Sequence, residues 1–217
     1  MRIGRDRQPD GPAASPPWAL LSYLLRYPDE RVCGARGEIA AEVASLPAGE
    51  VRDALELVLA EWGGTPAELE AVYVETFDMR RRTSLEVTYY AHGDTRERGM
   101  AMLRLKKLYR AAGLPMSSAE LPDHLTVMLG FAAVAEPGQG EQLLGQHRAA
   151  IELLRLSLHD LESSYAHVLD AVAACLPALT TNERSEVAKL AREGPPEEAV
   201  GLEPYGPPEA MPIGARA

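Results

Sequence analysis

The chain has 217 residues and a formal net charge of −10, and a surface this acidic repels phosphate backbones and attracts basic peptides. The charge therefore argues against nucleic acid as a partner. Aromatic residues make up only 6% of the chain against 46% hydrophobic residues, which indicates a core of Leu, Val and Ala and favours helices.

Cysteine usage and hydropathy indicate a cytoplasmic protein. Cys33 and Cys175 stand alone, without CxxC spacing, and are predicted to be reduced and buried. The first residues, MRIGRDRQPDGPAASPP, lack the apolar region of an export signal. The longest uncharged apolar run, Leu125 to Ala135, has about half of the ~20 residues that a membrane-spanning helix requires.

The first part of the chain reads as an arm followed by four amphipathic helices. Residues 1–15 are predicted to be a disordered arm, because no apolar run begins there. Apolar residues then recur at helical spacing up to Phe77. The second of these helices is weakened by Gly34 and Gly37. The helices are bounded by Pro16–Pro17, Tyr27–Pro28, Pro47, Gly63–Gly64 and the capping box Thr65–Glu68.

Residues 73–99, YVETFDMRRRTSLEVTYYAHGDTRERG, break the helical pattern. Apolar and polar residues alternate from Leu85 to Tyr89, which is a strand signal, but no second segment offers a partner strand and we predict a loop. Asp94 with Glu97 then predicts the N-cap of a helix that stops at Gly113. The polar face of this helix carries Arg104, Lys106, Lys107 and Arg110.

The remainder is again helical, with one helix from Leu121, one over residues 140–160, one from Tyr165 to Leu176 and a last one capped by Asn182. Residues 194–217 are rich in proline and are predicted to be extended or disordered. The predicted fold is therefore a single all-α domain over residues 16–193, built from about eight or nine helices.

Catalytic motifs are scarce in this sequence. The patterns GxxxxGK[ST], GxGxxG, HExxH and GxSxG do not occur, which excludes the commonest NTPase, metalloprotease and hydrolase sites. His159–Asp160 is the dipeptide that HD-type metal-dependent phosphohydrolases use as paired ligands. Adjacent residues of a helix point about 100° apart, however, so a solvated pair is favoured over a metal site.

Two other groups of polar residues have alternative interpretations. Arg80, Arg81 and Arg82 are predicted to be neutralised by acidic helix faces, and an anion site for a phosphate-bearing cofactor is the less favoured alternative. Asp123 precedes the Leu125 helix and can cap it, whereas His124 can reach a neighbouring loop or a bound peptide. Glu120 lies four residues before His124 and can meet it on a helix.

Several longer motifs resemble the NarJ-type assembly chaperones of respiratory nitrate reductase, also called its delta subunit, in the wider TorD and DmsD group of redox-enzyme maturation chaperones. The resemblance extends from about Trp18 to Tyr205. It is carried by YVETFDMRRRTSLEVTYYAHGDTRERGMAM, LYRAAGLP, ELPDHL, EQLLGQHRAAIELL, SSYAHVLDAV and VGLEPY.

This resemblance implies an all-helical cytoplasmic chaperone with a TorD-like bundle and no catalytic activity, metal or cofactor of its own. Its implied partner is the N-terminal leader and apo form of the nitrate reductase alpha subunit, as an alpha-beta complex awaiting molybdenum cofactor before membrane attachment. The implied leader-binding residues are Asp123 and His124 of ELPDHL, together with Tyr89, Tyr90, Asp94 and Arg98; the position of Glu120 four residues before His124 adds it to the predicted peptide-binding residues.

The chain departs from the family pattern DHLPxxLEF at two positions, where Thr126 replaces the proline and Gly130 replaces the glutamate. The lost acid puts in doubt a salt bridge from that position to a basic leader, and Glu120, Asp123 or Glu136 would have to supply the charge. Binding of an amphipathic leader helix in an apolar groove agrees with the acidic composition. An HD-like phosphohydrolase and a plain helical adaptor are the alternatives.

Overall fold

The computed structural model describes residues 16–117 and 120–196, and within these ranges the chain forms twelve α-helices. A π-helical turn (Val74–Asp78) and a 3-10 turn (Arg81–Thr83) lie between the fifth and sixth. The α-helices are α1 (Trp18–Leu24), α2 (Glu30–Gly34), α3 (Arg36–Ser45), α4 (Glu50–Glu61), α5 (Pro66–Tyr73), α6 (Val87–His92), α7 (Arg96–Ala111), α8 (Leu125–Val134), α9 (Gln139–Gln146), α10 (Arg148–Asp160), α11 (Tyr165–Ala174) and α12 (Thr181–Glu193).

The all-α prediction is confirmed, but the described helices outnumber the eight or nine expected. One reason is that two segments predicted as single helices are each divided by one residue. Ala35 separates α2 from α3, and His147 separates α9 from α10. The other reason is α6, which lies where a loop was predicted. Apolar periodicity continues across such short breaks, so it does not reveal them.

The core is centred on α11, which packs against α4, α10 and α1. Helix α1 also packs on α8, and α12 covers the outer side of α10. Leu and Val side chains fill these contacts at 0% exposure, as the low aromatic content predicts; examples are Leu21, Leu55, Leu129, Leu154 and Val168.

Helix starts are partly predictable from the sequence. The capping box before α5 is confirmed, with the Thr65 N–H donating to Glu68 at 2.7 Å. The predicted cap Asn182 is wrong, because Thr180 and Glu183 form the box that opens α12. A reciprocal box needs an acid or amide three residues after the cap, and Asn182 is followed at that spacing by a serine.

The predicted start of the helix at Leu121 is also wrong, since α8 begins at Leu125 with His124 as its N-cap. At α7 the N-cap is Thr95 rather than Asp94. Asp94 and Asp123 were both expected to cap helices, but arginine side chains draw their carboxylates away from the helix ends.

The strand signal at Leu85 has a partner after all, and it is the segment around His124. Glu86 and His124 form an antiparallel bridge. The Val87 N–H donates to the Asp123 carbonyl at 2.9 Å, and the Leu125 N–H donates to the Leu85 carbonyl at 2.8 Å. The loop prediction is therefore wrong for residues 87–89, which belong to α6, whereas residues 84–86 form no strand and are held by this single bridge.

No helix within the described ranges is long and apolar enough to cross a membrane. The predicted N-terminal arm lies outside the described residues, as does the predicted C-terminal tail beyond Pro196.

Candidate functional site

The bridge between Glu86 and His124 brings the ELPDHL motif against the start of α6 and the inner side of α7. Arg98 projects from α7 into this junction, where its guanidinium pairs with Glu86 and, at 3.3 Å each, with Asp94 and Asp123. Burial acts to lower the pKa of Arg98, but the charges of Asp123 and Glu86 outweigh it and raise that pKa. The guanidinium therefore stays charged and ties α7 to both paired segments.

Asp123 is the buried end of this network, with 0% of its surface exposed. Its Oδ2 accepts hydrogen bonds from the Thr88 hydroxyl at 2.5 Å and from the Arg98 guanidinium at 3.3 Å. Its Oδ1 has no hydrogen-bond partner among residues 16–117 and 120–196. The carboxylate thus links α6, α7 and the start of α8 and offers no surface to a ligand in this conformation.

Tyr89 and Arg81 form the outer side of the network, above the largely buried Arg98. The guanidinium carbons of Arg81 and Arg98 lie 6.0 and 5.8 Å from the centroid of the Tyr89 ring, within cation–π range. Asp94 pairs with both arginines, at 3.0 Å to Arg81. Arg80 pairs with Glu75 at 3.2 Å. The predicted neutralisation by acidic groups is thus confirmed for Arg80 and Arg81.

Arg82 differs from its two neighbours. Its side chain is exposed and forms no ion pair with any residue in the described part of the chain, and its backbone carbonyl accepts the Tyr90 hydroxyl at 3.0 Å.

His124 lies at the surface end of the bridge as the N-cap of α8. Its Nδ1 is 2.6 Å from the hydroxyl of Thr126, and the Thr126 carbonyl accepts the Ser22 hydroxyl at 2.7 Å. Burial lowers the pKa of His124, and the nearby carboxylates of Glu86 and Asp123 only partly offset it. The imidazole is therefore neutral at pH 7, and Thr126, in the family's proline position, holds its ring in place.

Two clefts lie on either side of His124 and Tyr73, which line both of them. The arginine cleft has a volume of about 340 Å³, and its other walls include Asp78, Arg80, Arg81, Glu86, Tyr89 and Asp94. The tyrosine cleft has a volume of about 590 Å³, and its other walls include Ser22, Arg26, Tyr27, Glu120, Leu121 and Gly130. We refer to the two clefts together as the His124 groove.

The tyrosine cleft combines exposed apolar side chains with free space at Gly130. Tyr27 and Leu121 are 44% and 42% exposed. Gly130 contributes no side chain, and a Cβ placed there would meet only the Ser22 hydroxyl, at 3.7 Å. The residue that departs from the family glutamate therefore leaves room in the groove and removes a negative charge from it.

The structure brings five of the seven predicted leader-binding residues together. Asp123, Tyr89, Asp94 and Arg98 share one side-chain network, and His124 adjoins it through its backbone bridge to Glu86. Glu120 lies beside them on the wall of the tyrosine cleft. Tyr90 lies apart, because its ring is buried and its hydroxyl donates to the carbonyls of Arg82 and Ser84. Glu136, a further candidate to replace the missing family glutamate, lines neither cleft.

Sequence reasoning missed Glu86 and Thr88, which hold Arg98 and Asp123 in place. Both residues belong to the alternating segment Leu85 to Tyr89. Had that segment been predicted to pair with ELPDHL, the pairing would have placed both residues beside Asp123. It also missed Tyr27, Arg26 and Ser22. No sequence signal identified these, because their approach to His124 depends on how α1 packs on α8.

His159 of the His159–Asp160 dipeptide lies in a different polar cluster, between α10 and α11, in which Asp160 makes no contact. His159 Nε2 is 2.8 Å from Asp170 Oδ1, which Arg155 also contacts at 2.7 Å. His167 Nδ1 is 3.4 Å from Asp170 Oδ2. Within the described ranges, no group of three or more His, Cys, Asp or Glu side chains is arranged to hold a metal ion.

Comparison with known proteins identifies several similar sequences. A family model described as "Nitrate reductase delta subunit" matches residues 42–171, which is more than half of the chain. The probable nitrate reductase molybdenum cofactor assembly chaperone NarJ of Bacillus subtilis is 32% identical over 172 residues, covering 79% of this chain and 94% of that protein. The NarJ assembly chaperone of Escherichia coli is 30% identical over 184 residues, 82% of this chain and 78% of that protein.

The nitrate reductase-like protein NarX of Mycobacterium tuberculosis is 38% identical over 157 residues. The matched residues make up 71% of the present chain but only 23% of NarX.

Proposed function

Because the chain belongs to the nitrate reductase delta subunit family, we propose that it is a system-specific assembly chaperone. It binds the N-terminal leader of the catalytic alpha subunit and keeps the apoenzyme competent for insertion of molybdenum cofactor. Its relatives in Bacillus subtilis and Escherichia coli are named as nitrate reductase molybdenum cofactor assembly chaperones, the former as a probable one. The client is an alpha-beta complex in the cytoplasm, before its attachment to the membrane.

The observation that carries this proposal is the His124 groove. It places the family motif ELPDHL beside exposed Tyr27 and Leu121, between clefts of about 340 and 590 Å³. An amphipathic helix binds such a surface by inserting the side chains of its apolar face. The neutral imidazole of His124 lies between the two clefts and imposes no charge against a basic peptide.

The acids that would attract a basic leader are Asp78 and Glu120. Asp123 and Glu86 are already paired with Arg98, and Asp94 with both arginines. Asp78 and Glu120 are exposed, line the groove and form no ion pair within the described residues. Each cleft thus offers one unpaired acid to a basic leader, and we expect the attraction to weaken as salt is added.

In this proposal the molybdenum cofactor enters the client and the chaperone holds none of its own. Purified protein is therefore expected to contain no stoichiometric transition metal. A stoichiometric metal content by elemental analysis would favour the HD-like phosphohydrolase instead.

The proposal is tested by calorimetric titration of the full chain with a synthetic leader of about thirty residues from the cognate alpha subunit. A helix-in-groove complex should have a Kd in the micromolar range or below. His124→Ala should weaken binding about tenfold, because it removes the side chain shared by both clefts. His159→Ala is the matched control, since His159 lines neither cleft.

A leader that gives no heat and no spectroscopic signal of binding at 100 µM would contradict the proposed function. If His124→Ala and His159→Ala weaken leader binding equally, the chaperone function would stand, but the leader would bind outside the His124 groove.

A further inference from the structure

Helix α7 presents an outer face with an unusual combination of exposed side chains. Successive residues rotate by about 100° around a helix, so positions 96, 100, 103, 104, 107 and 110 share one side of α7. Met100 and Leu103 on this side are 48% and 51% exposed. We call this stripe the α7 outer face; its residues are Arg96, Met100, Leu103, Arg104, Lys107 and Arg110.

The charge of this face is opposite to that of the whole chain. Helix α7 carries six Lys or Arg residues and a single acid, Glu97, in a protein of net charge −10. Arg98 is neutralised on the inner side of the helix. The four cations of the outer face form no ion pair with any carboxylate of the described residues, and the neighbouring Lys106 forms none either. The face is thus suited to an acidic partner with apolar side chains.

The end of the described chain lies beside the start of this helix. After α12 the chain passes through Gly194 and Pro195, and Pro196 lies against the turn before α7. A Cβ added to Gly93 would stand 1.9 Å from the carbonyl oxygen of Pro196. Gly93 is only three residues before Arg96, so the chain beyond Pro196 starts next to the first turn of α7.

The sequence that follows has the composition that the α7 outer face requires. Residues 197–217 contain four glutamates and one arginine. Three of those acids, Glu197, Glu198 and Glu203, fall within the first eight residues, where they flank Val200 and Leu202 on either side. The 16 residues of α7 span about 24 Å, and eight residues of extended chain reach about 26 Å. Charge, apolar content and length therefore all match.

We propose that residues 197–204 dock along the α7 outer face of the same molecule. Glu197, Glu198 and Glu203 pair with the cations of the face, and Val200 and Leu202 cover Met100 and Leu103. This intramolecular contact does not depend on the chaperone function proposed above.

The chain itself offers a clean test, because it has only three lysines, Lys106, Lys107 and Lys189. A carbodiimide joins a lysine amine to a contacting carboxylate as an amide, with loss of water and no spacer. In the full chain we expect crosslinks from Glu197, Glu198 or Glu203 to Lys106 or Lys107, mapped by mass spectrometry. Lys189 is the internal control, since a tail without a docking site would meet it more often than the sequence-distant lysines of α7.

Charge reversal provides the second arm of the experiment. Arg104→Glu/Arg110→Glu should lower the ratio of tail crosslinks at Lys106 and Lys107 to those at Lys189 at least fivefold. Arg31→Glu/Arg184→Glu changes the net charge equally at exposed positions outside α7 and at least thirteen residues before the tail, and should leave the ratio unchanged.

Three results would overturn the proposal. Tail crosslinks concentrated on Lys189 would mean that the tail does not dock on α7. An equal effect of the two charge reversals would mean that only the overall charge matters. Crosslinks found only between differently isotope-labelled molecules would assign the face to a second copy of the chain.

Discussion

Asp123 is the residue on which the geometry of the candidate site depends most. Its carboxylate accepts hydrogen bonds from Thr88 and Arg98, and its carbonyl accepts the N–H of Val87. The resemblance to the chaperone family pairs Asp123 with His124 as leader-binding residues. The structure separates their positions, since Asp123 is buried and His124 lies between the two clefts. We therefore expect Asp123 to act by positioning its neighbours.

Replacing Asp123 by Ala is accordingly expected to lower stability. The change leaves Arg98 without its most buried partner, and breaking a buried ion pair from one side costs about 3 kcal/mol. Urea unfolding should detect this loss, with Asp123→Asn retaining part of the stability through an amide oxygen that still accepts from Thr88. Asp160→Ala, an exposed control, should change the free energy of unfolding by less than about 0.5 kcal/mol. Equal stability of Asp123→Ala and Asp160→Ala would contradict the structural role.

Gly130 is expected to limit the electrostatic attraction between the groove and a basic leader. Gly130→Glu adds a carboxylate where a Cβ meets only the Ser22 hydroxyl, and it replaces a glycine within α8 by a better helix former. Calorimetry at low salt should show leader binding several-fold tighter, and the gain should disappear at high salt. Gly130→Gln is the neutral control of matched size. If glutamine and glutamate have the same effect, the charge of this position does not matter.

At the scale of elements, periodicity predicted the helices well and their junctions poorly. The capping box of α5 and the apolar faces of α4 and α11 were predictable because each depends on residues within a few positions of one another. The pairing of Glu86 with His124 joins segments 38 residues apart through one bridge, too short to leave a strand pattern in the second segment. The ion pairs of Arg98 with Glu86 and Asp123 depend on that pairing, so the sequence did not predict them either.

The connection between α6 and α7 provides a test of how the C-terminal end of α12 is held. Gly93 has a φ of +56°, and an added Cβ would collide with the Pro196 carbonyl. Gly93→Ala should therefore cost more than about 1 kcal/mol in urea unfolding and displace residues 194–196. Gly113→Ala is the matched control, with a φ of +76° and no atom within 4 Å of the new Cβ. It shares the positive φ but not the collision.

Protease Glu-C, which cleaves after glutamate, reports the displacement directly. Cleavage after Glu193 should be faster in Gly93→Ala than in Gly113→Ala. Equal rates and equal stabilities for the two variants would show that Pro196 does not pack on Gly93.

At the scale of the whole molecule, the acidic charge is distributed unevenly around a helical bundle. Two acids without ion pairs among the described residues, Asp78 and Glu120, line the His124 groove beside one unpaired cation, Arg26, whereas helix α7 carries five cations without such partners. The net charge of −10 predicts that the protein attracts basic peptides, but composition alone does not locate the charges. Their location depends on the pairing of ELPDHL with residues 85–87, which makes Asp123, Glu86 and Asp94 partners of arginine and leaves Asp78 and Glu120 available.

Photo-crosslinking of the leader peptide tests most directly whether it occupies the His124 groove. A photoreactive amino acid replaces Leu121, which is 42% exposed in the groove, or, as control, Leu57, which is 49% exposed on α4. We predict that the leader crosslinks to position 121, that unlabelled leader competes for this product, and that position 57 gives only background. Crosslinking at position 57 equal to that at position 121, or a product at position 121 that unlabelled leader does not reduce, would contradict the account.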